Sequence, residues 1–386
     1  MTIPVDYRKR GQAVWLDSIS SKMIQTGQLA SRIASGTIYG VTSNPTIFGQ
    51  AIEKNEGDYE SVLARMAAAG ADAFSIYDEL TRRDIAAGAD LFAGLHRANP
   101  VDGWISLEVL PGLAHDEEGT VREALRLSGL LARPNVFIKV PSTPEGVRAI
   151  RRLIGSGVSV NVTLMFNRKH YRDVANAYVS GLSDLAARGG DLSKVHSVAS
   201  FFVSRVDSLV DKLLDEMIAA APGVGKAALD ALKGKAGLAN SKVVYQDFLA
   251  AFEAPEFRAL AAKGARVQRP LWASTGTKNP AYSDLLYVEN LIGPDTVNTM
   301  PEKTLEALLD HGTCPGDTVL EGVDEARRTL AALKAAGIDL EAVGERLQAD
   351  GVVLFSKSYD ELLATIEKRR AAEAAAPKGA RAGVAG

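Results

Sequence analysis

Lys139 stands at the end of an apolar run and is the first residue whose placement suggests chemistry. Val136, Phe137 and Ile138 precede it in NVFIKVPST, residues 135–143. A run without polar alternation is typical of a strand buried on both faces. Burial disfavours the charged form of an amine, so the sequence predicts a lysine that gives up its proton readily. A neutral amine can attack a ketone and form a Schiff base, which withdraws electrons while a neighbouring carbon–carbon bond breaks.

Polar or reactive residues end most of the other apolar runs as well. They are Asp17 after VWL, Asn44 in VTSN, Glu108 in SLEV, Asn161 and Thr163 in VNVTL, Ser200 and Phe202 in ASFF, Arg205 just beyond, Ser274 in LWAS, and Lys278. Residues two apart on a strand face the same side, so Asn161 and Thr163 should point the same way, as should Ser200 and Phe202.

Each of these residues has an ordinary structural interpretation. Asp17 or Ser200 alone could be the N-cap of the next helix. Glu108 alone could form a surface salt bridge, and Lys139 alone could extend its amine out of the barrel end. Arg205 alone could be a solvent-facing charge at a helix terminus. If these polar groups were buried together without hydrogen-bond partners, the folded state would lose several kcal/mol of stability. A substrate rich in hydroxyl groups would satisfy them.

Eight apolar runs are predicted to be the strands that position these residues. They are AVWLD near 13, TIYGVTSN near 37, GWISLEV near 103, NVFIKV near 135, VSVNVTL near 158, KVHSVASFFV near 194, RPLWAS near 269 and DTVNTMP near 295. Longer stretches with helical periodicity lie between them, including 121–133 and 205–220. Alternating strands and helices favour parallel pairing, and eight such units predict an α/β fold with a single (β/α)₈ TIM barrel. A doubly wound open sheet is the alternative. In a barrel the carboxyl ends of the strands form the active site.

The chain is longer than a minimal barrel, so additional helices are predicted. We expect residues 1–370 to form one barrel domain, with extra helices between strands 6 and 7 and after strand 8. Residues 371–386, AAEAAAPKGARAGVAG, are low-complexity sequence and are predicted to be a disordered tail.

Composition argues against several classes of protein. The 386 residues carry 44 Lys and Arg and 47 Asp and Glu, a balance that is not typical of a nucleic-acid binder. No stretch approaches the ~20 apolar residues needed to cross a bilayer, and the first residues lack the apolar segment of a signal peptide. Cys314 is the single cysteine, which excludes an intramolecular disulfide. These features predict a cytoplasmic protein that binds neither nucleic acid nor membranes. The histidines are widely separated and form no metal-binding motif, so no metal is predicted.

The motifs in order resemble the transaldolase family, in its longer bacterial subgroup. They are WLDSIS, GVTSNPTIF, SLEV, VFIKVPST, VNVTLMF, ASFFVSRVD and WASTGTKNP, spanning residues 15–280, followed by TMPEKTLEAL. The resemblance implies a class I aldolase barrel that needs no cofactor or metal. It also implies transfer of a dihydroxyacetone unit from sedoheptulose 7-phosphate to glyceraldehyde 3-phosphate, giving erythrose 4-phosphate and fructose 6-phosphate in the pentose phosphate pathway.

The same resemblance implies roles for the catalytic residues. Lys139 would be the Schiff-base lysine. Asp17 would deprotonate the donor hydroxyl as the carbon–carbon bond breaks. Glu108 and Thr163 would position a water that moves protons during formation and hydrolysis of the imine.

Substrate-binding roles follow in the same way. Asn44, Asn161 and Ser200 would hydrogen-bond the donor hydroxyls. Arg205 would bind the substrate phosphate, and Ser274 would be a second phosphate contact.

The sequence departs from the family pattern at one position, and this leaves alternatives open. Many transaldolases have an arginine two residues after the serine of WAST, where Gly276 stands here, and Lys278 would substitute for it. Related fructose 6-phosphate aldolases have tyrosine in place of Phe202 and glutamine in place of Glu108, so both residues here favour transfer. A free aldolase, a non-catalytic phosphosugar-binding barrel and a metal-dependent aldolase are the alternative hypotheses.

Overall fold

The computed structural model describes residues 2–220 and 225–375, and its centre is a closed barrel of parallel strands. The strands pair in chain order, β1 with β2 through to β8, and β8 closes on β1. They are β1 (Gln12–Leu16), β2 (Gly40–Val41), β3 (Trp104–Glu108), β4 (Val136–Pro141), β5 (Val160–Met165), β6 (Ser197–Phe202), β7 (Arg269–Ala273) and β8 (Thr296–Met300). The predicted (β/α)₈ barrel is therefore confirmed. An open sheet is excluded because its first and last strands would not pair with each other, whereas β1 and β8 do.

Helices connect the strands and surround the barrel. Within the described ranges they are α1 (Ile3–Lys9), α2 (Ser21–Gln25), α3 (Gln28–Ala34), α4 (Pro45–Glu53), α5 (Tyr59–Ala68), α6 (Ala73–Ala98), α7 (Glu117–Leu131), α8 (Pro144–Gly155), α9 (Arg168–Ala187), α10 (Ser204–Ala220), α11 (Lys226–Asp230), α12 (Ala236–Glu253), α13 (Pro255–Ala261), α14 (Leu286–Glu289), α15 (Glu302–His311), α16 (Val323–Ala335) and α17 (Leu340–Ala375). No helix in this part of the chain is long and apolar enough to cross a membrane.

Several helices and one strand differ in detail from the sequence pattern. In α7, Leu125 and Leu130 are exposed although they belong to the apolar repeat. The helix α17 continues through Ala375 and so enters the segment predicted to be disordered, while 376–386 lie outside the described residues. The strand β2 is short, and a Cβ on Gly40 would lie only 2.5 Å from the Trp15 ring, so this position needs glycine.

Two hydrophobic layers hold the barrel. Aromatic rings fill its interior, where Trp104 and Phe137 stack with ring centroids 3.9 Å apart and Trp15 lies 6.2 Å from Phe137. A larger layer of Val, Ile and Leu side chains packs the outer face of the strands against the helices. Because the barrel interior is filled by side chains, a ligand can reach them only at the open end, where the carboxyl termini of the strands lie.

The long helix α17 lies across that open end. Its 36 residues give it a length of about 50 Å. Gln348 Nε2 donates hydrogen bonds to the carbonyl oxygens of Ser142 and Leu164, both at 3.1 Å. Leu164 sits at an irregularity of β5 with a φ of 62°, so its carbonyl is released from regular pairing and is available to the helix.

Candidate active site

Lys139 lies inside the barrel mouth with a carboxylate beside it. Strand pairing places Lys139 opposite Glu108 of β3 on one side and Asn161 of β5 on the other. The Lys139 Nζ atom lies 3.2 Å from Glu108 Oε2 and donates a hydrogen bond of 3.2 Å to the Ser43 carbonyl oxygen. Lys139 is only 4 % exposed, so it does not extend out to solvent. The apolar residues that precede Lys139 in the sequence gave no indication that the Glu108 carboxyl lies beside its amine.

Glu108 is a buried carboxyl beside the Lys139 amine. Burial raises the pKa of Glu108, and the positive charge of Lys139 opposes that shift. Glu108 Oε2 lies close to Lys139 Nζ but has no aligned hydrogen bond. Thr163 Oγ1 of β5, on the other side of β4, is also buried without a hydrogen-bond partner. The surface salt bridge considered for Glu108 is thus wrong, because its ion pair is inside the barrel.

Asn161 joins three strands through its amide. Its Nδ2 donates to Ser106 Oγ of β3 at 3.0 Å, and its Oδ1 accepts from Ser200 Oγ of β6 at 2.7 Å. These bonds fix the orientation of the amide on the strand next to Lys139. Ser200 is almost fully buried and is not the N-cap of a helix.

Asp17 follows β1 and accepts a hydrogen bond from Thr42, which is itself bonded to a second threonine. Thr42 Oγ1 donates to Asp17 Oδ1 at 2.6 Å, and Thr299 Oγ1 lies 2.7 Å from Thr42 Oγ1. Since Thr42 uses its one proton on Asp17, Thr299 must donate to Thr42. Thr42 and Thr299 were not among the predicted site residues, although both lie at the carboxyl ends of strands and the same rule would have found them.

Asn44 combines a structural position with access to the cleft. Its Oδ1 accepts from the Ile47 backbone N–H at 3.0 Å and so caps α4, while Pro45 begins the helix. The cap leaves the Nδ2 group free to donate, and Asn44 lines the cleft.

Cationic side chains mark one wall of the cleft. The Arg205 guanidinium stacks over the Phe202 ring at 5.2 Å from its centroid and makes no hydrogen bond or ion pair with any described residue. Burial lowers the pKa of Arg205, and Asp17 opposes this shift. Ser274 has a φ of 55° and its Oγ lies 2.9 Å from Ser204 Oγ. Lys278 is exposed at the rim.

These residues enclose one cleft of about 290 Å³. All the predicted site residues line it except Glu108 and Asn161, which lie beneath. The lining residues that sequence reasoning missed are Thr42, Thr46, Ile47, Gln50, Ala273, Gly276, Thr299, Pro301, Leu354, Phe355 and Ser358. The last three belong to α17 and carried no signal in the sequence. Among the described residues no group of three or more His, Cys, Asp and Glu side chains is placed to hold a metal ion.

Residues 14–366 match the family described as Transaldolase/Fructose-6-phosphate aldolase. A protein named Transaldolase from Saccharopolyspora erythraea is 47 % identical over 359 residues, covering 93 % of this chain and 95 % of the relative. Transaldolase 1 of Streptomyces coelicolor is 47 % identical over 93 % of this chain and 92 % of its own length. A transaldolase of Thiobacillus denitrificans is 47 % identical over 95 % of this chain and all of the relative. The chain therefore belongs to the transaldolase/fructose-6-phosphate aldolase family.

Proposed function

We propose that the protein is a transaldolase of the pentose phosphate pathway. It moves a dihydroxyacetone unit from sedoheptulose 7-phosphate to glyceraldehyde 3-phosphate and yields erythrose 4-phosphate and fructose 6-phosphate. One observation carries the proposal: a lysine amine, 4 % exposed, lies beside a buried carboxyl at the base of a cleft in the barrel mouth. We expect the enzyme to act in the cytoplasm, where its single cysteine stays reduced.

Imine formation begins at Lys139. The neutral amine attacks the ketone carbon of the donor, and loss of water leaves the Schiff base. Glu108 is suited to move the protons, because burial raises its pKa and so favours the protonated form. A water held by Glu108 and Thr163 would carry them, and each side chain has a buried oxygen without a hydrogen-bond partner, which supports this role.

Bond cleavage requires a base on the other side of the cleft. Asp17 removes the proton of the donor hydroxyl as the carbon–carbon bond breaks, and the imine takes up the electron pair. Thr42 and Thr299 hold the Asp17 carboxylate in place during this step. Asn44, through its free Nδ2 group, binds the hydroxyls of the three-carbon unit.

Two further polar residues complete the binding of the three-carbon unit. Asn161 and Ser200 are already fixed by their mutual hydrogen bond, so little ordering is needed when substrate hydroxyls arrive.

The cationic wall binds the substrate phosphate. Arg205 offers a guanidinium without an internal partner, and its planar fork matches two phosphate oxygens. Ser274 adds a hydroxyl, and Lys278 adds a point charge at the rim. Phe202 supports the guanidinium from below, and a phenyl ring there provides no acid to protonate the intermediate.

Borohydride reduction in the presence of fructose 6-phosphate tests the chemistry. We expect the reduced three-carbon adduct on the peptide that contains Lys139 and on no other peptide. A coupled assay with and without erythrose 4-phosphate as acceptor tests the transfer. Turnover should depend on the acceptor, whereas equal turnover without it would identify a free aldolase instead.

A further inference from the structure

Phe355 of α17 is the aromatic residue placed over the reacting nitrogen. Its ring centroid lies 5.8 Å from Lys139 Nζ, and the residue is only 5 % exposed. It lines the cleft from the side opposite the strands. The preceding residue, Leu354, also lines the cleft but is 46 % exposed, and Val353 is 68 % exposed and lies outside it.

Two anchors hold this part of α17 against the barrel. Gln348 is bonded to the carboxyl ends of β4 and β5 on one side of Phe355. On the other side, Ser358 Oγ accepts a hydrogen bond of 3.0 Å from Thr46 Oγ1 of α4. Near the first anchor, Gly351 allows the α17 backbone to lie close to β5, since a Cβ at this position would be only 2.9 Å from Leu164 Cδ2. The phenyl ring is therefore held in place above Lys139 rather than presented on a mobile element.

A fixed apolar ring at this place has two physical effects. It removes water from the space above the nitrogen, while the proton-moving groups Glu108 and Thr163 lie on the strand side. Its π-face also attracts the positive charge of an iminium at Lys139, since a cation within about 6 Å of a ring centroid is stabilised.

We propose that Phe355 shields the Schiff-base intermediate at Lys139 from solvent, so that the three-carbon unit is transferred to an aldehyde instead of being released as dihydroxyacetone. This inference rests on the proposed function. It identifies Phe355 as the residue that decides between transfer and release of the three-carbon unit. Phe355 acts on the intermediate through exclusion of water and does not exchange protons itself.

The two fates of the intermediate differ in what reaches its nucleophilic carbon. In transfer, that carbon forms a bond to the acceptor aldehyde carbon, whose oxygen takes the proton held by Asp17. Water then hydrolyses the new imine, which frees the product ketose and regenerates the Lys139 amine. In release, a solvent proton adds to the same carbon and restores the imine. Water then adds to the imine carbon, the carbon–nitrogen bond breaks, and dihydroxyacetone leaves with the Lys139 amine regenerated. Both routes therefore end in hydrolysis of an imine, for which Glu108 and Thr163 hold water on the strand side. Only release begins with a solvent proton on the nucleophilic carbon, and water above Lys139 would supply that proton.

A graded series at one position tests the proposal. The variants Phe355→Leu, Phe355→Val and Phe355→Ala are each assayed beside the wild type. Fructose 6-phosphate is the donor, and erythrose 4-phosphate is the acceptor at saturating concentration. The measured quantity is dihydroxyacetone released per transfer. We expect this ratio to rise as the side chain shrinks, by about tenfold for alanine. Val353→Ala, on the same turn but outside the cleft, should keep the wild-type ratio.

Separate outcomes identify which idea fails. An unchanged ratio across the series, or transfer and release falling together, would overturn the role of Phe355. Loss of the borohydride adduct from the wild-type Lys139 peptide would instead overturn the proposed function. If Phe355→Ala does not fold, the valine variant carries the test, because it removes the ring while retaining apolar packing.

Discussion

The two ends of the barrel bury cations in different ways. At the amino end, the Arg269 guanidinium donates to the carbonyl oxygens of Val101 at 2.9 Å and Thr296 at 2.6 Å. At the carboxyl end, Arg205 has no hydrogen-bond or ion-pair partner among the described residues and rests on the Phe202 ring. One arginine is satisfied by backbone carbonyl groups, whereas the other has no such partner among the described residues.

The same contrast applies to the remaining polar groups. Asn135, before β4, donates through Nδ2 to the carbonyl oxygens of Ala89 and Gly103 and so ties the amino end together. Lys139, near the other end of the same strand, has one carbonyl partner and lies 3.2 Å from the Glu108 carboxyl. We conclude that substitutions at the amino end should affect stability, and those at the carboxyl end should affect turnover.

Lys139→Ala should show the largest effect on activity. Without the amine no imine can form, so we expect kcat to fall by at least about a thousandfold. The steady-state transfer assay measures this, and circular dichroism should show an intact fold. A near wild-type rate would show that another nucleophile is used.

Arg269→Ala should show the largest effect on stability. It removes the guanidinium that donates to two backbone carbonyl oxygens at the amino end, which we expect to destabilise the fold by about 3 kcal/mol or more. Urea denaturation measures the free energy of unfolding. The folded fraction should keep its KM for fructose 6-phosphate, and a selective rise in KM would contradict the separation of the two ends.

Arg205→Ala should weaken phosphate binding while sparing the fold. We expect KM for phosphorylated donors to rise roughly tenfold to a hundredfold, with little change for unphosphorylated analogues. Arg205→Lys should recover part of the loss, because charge returns without the fork. Equal losses for both kinds of donor would show that Arg205 does not bind phosphate.

Asp207 extends the comparison within one helix, since it is two residues from Arg205 but turns to the interior. It accepts from Gly237 N and Tyr287 Oη, and burial raises its pKa to about 6. Its reference pKa is 3.8, so ionisation is disfavoured in the folded state and stability falls as pH rises from about 4 to about 6. The loss of stability caused by Asp207→Asn should therefore be roughly 1 kcal/mol smaller at pH 7.5 than at pH 5.0. Urea denaturation at both pH values tests this, and a difference of the opposite sign would contradict the buried carboxyl.

Lys278→Ala should have the smallest effect. The side chain is exposed at the rim, where solvent screens its charge, so we expect KM for phosphorylated sugars to rise about threefold. Salt titration of KM is the check, because the wild-type dependence on ionic strength should weaken in the variant. A loss as large as that of Arg205→Ala would make Lys278 a principal phosphate ligand.

Much of the site could be predicted because strand ends converge in a barrel. Asp17, Glu108, Lys139 and Asn161 were identified as polar residues that follow or end apolar runs, and the structure brings them to one mouth. Leu125 shows the limit of the same reasoning, since an apolar residue in a helical repeat can still face solvent when no neighbouring element covers it.

The amino-acid sequence by itself determined the barrel and the lysine within it. Strand and helix periodicities are local, and eight alternating strands and helices favour parallel pairing in chain order. Only the tertiary structure decided that α17 crosses the mouth and places Phe355 over Lys139. Gln348 bonds to Ser142, which is 206 positions away in sequence, and no local pattern specifies so distant a contact. The pairing of Lys139 with Glu108 likewise arises from strands that meet only after folding, when the amine and the carboxyl lose water together.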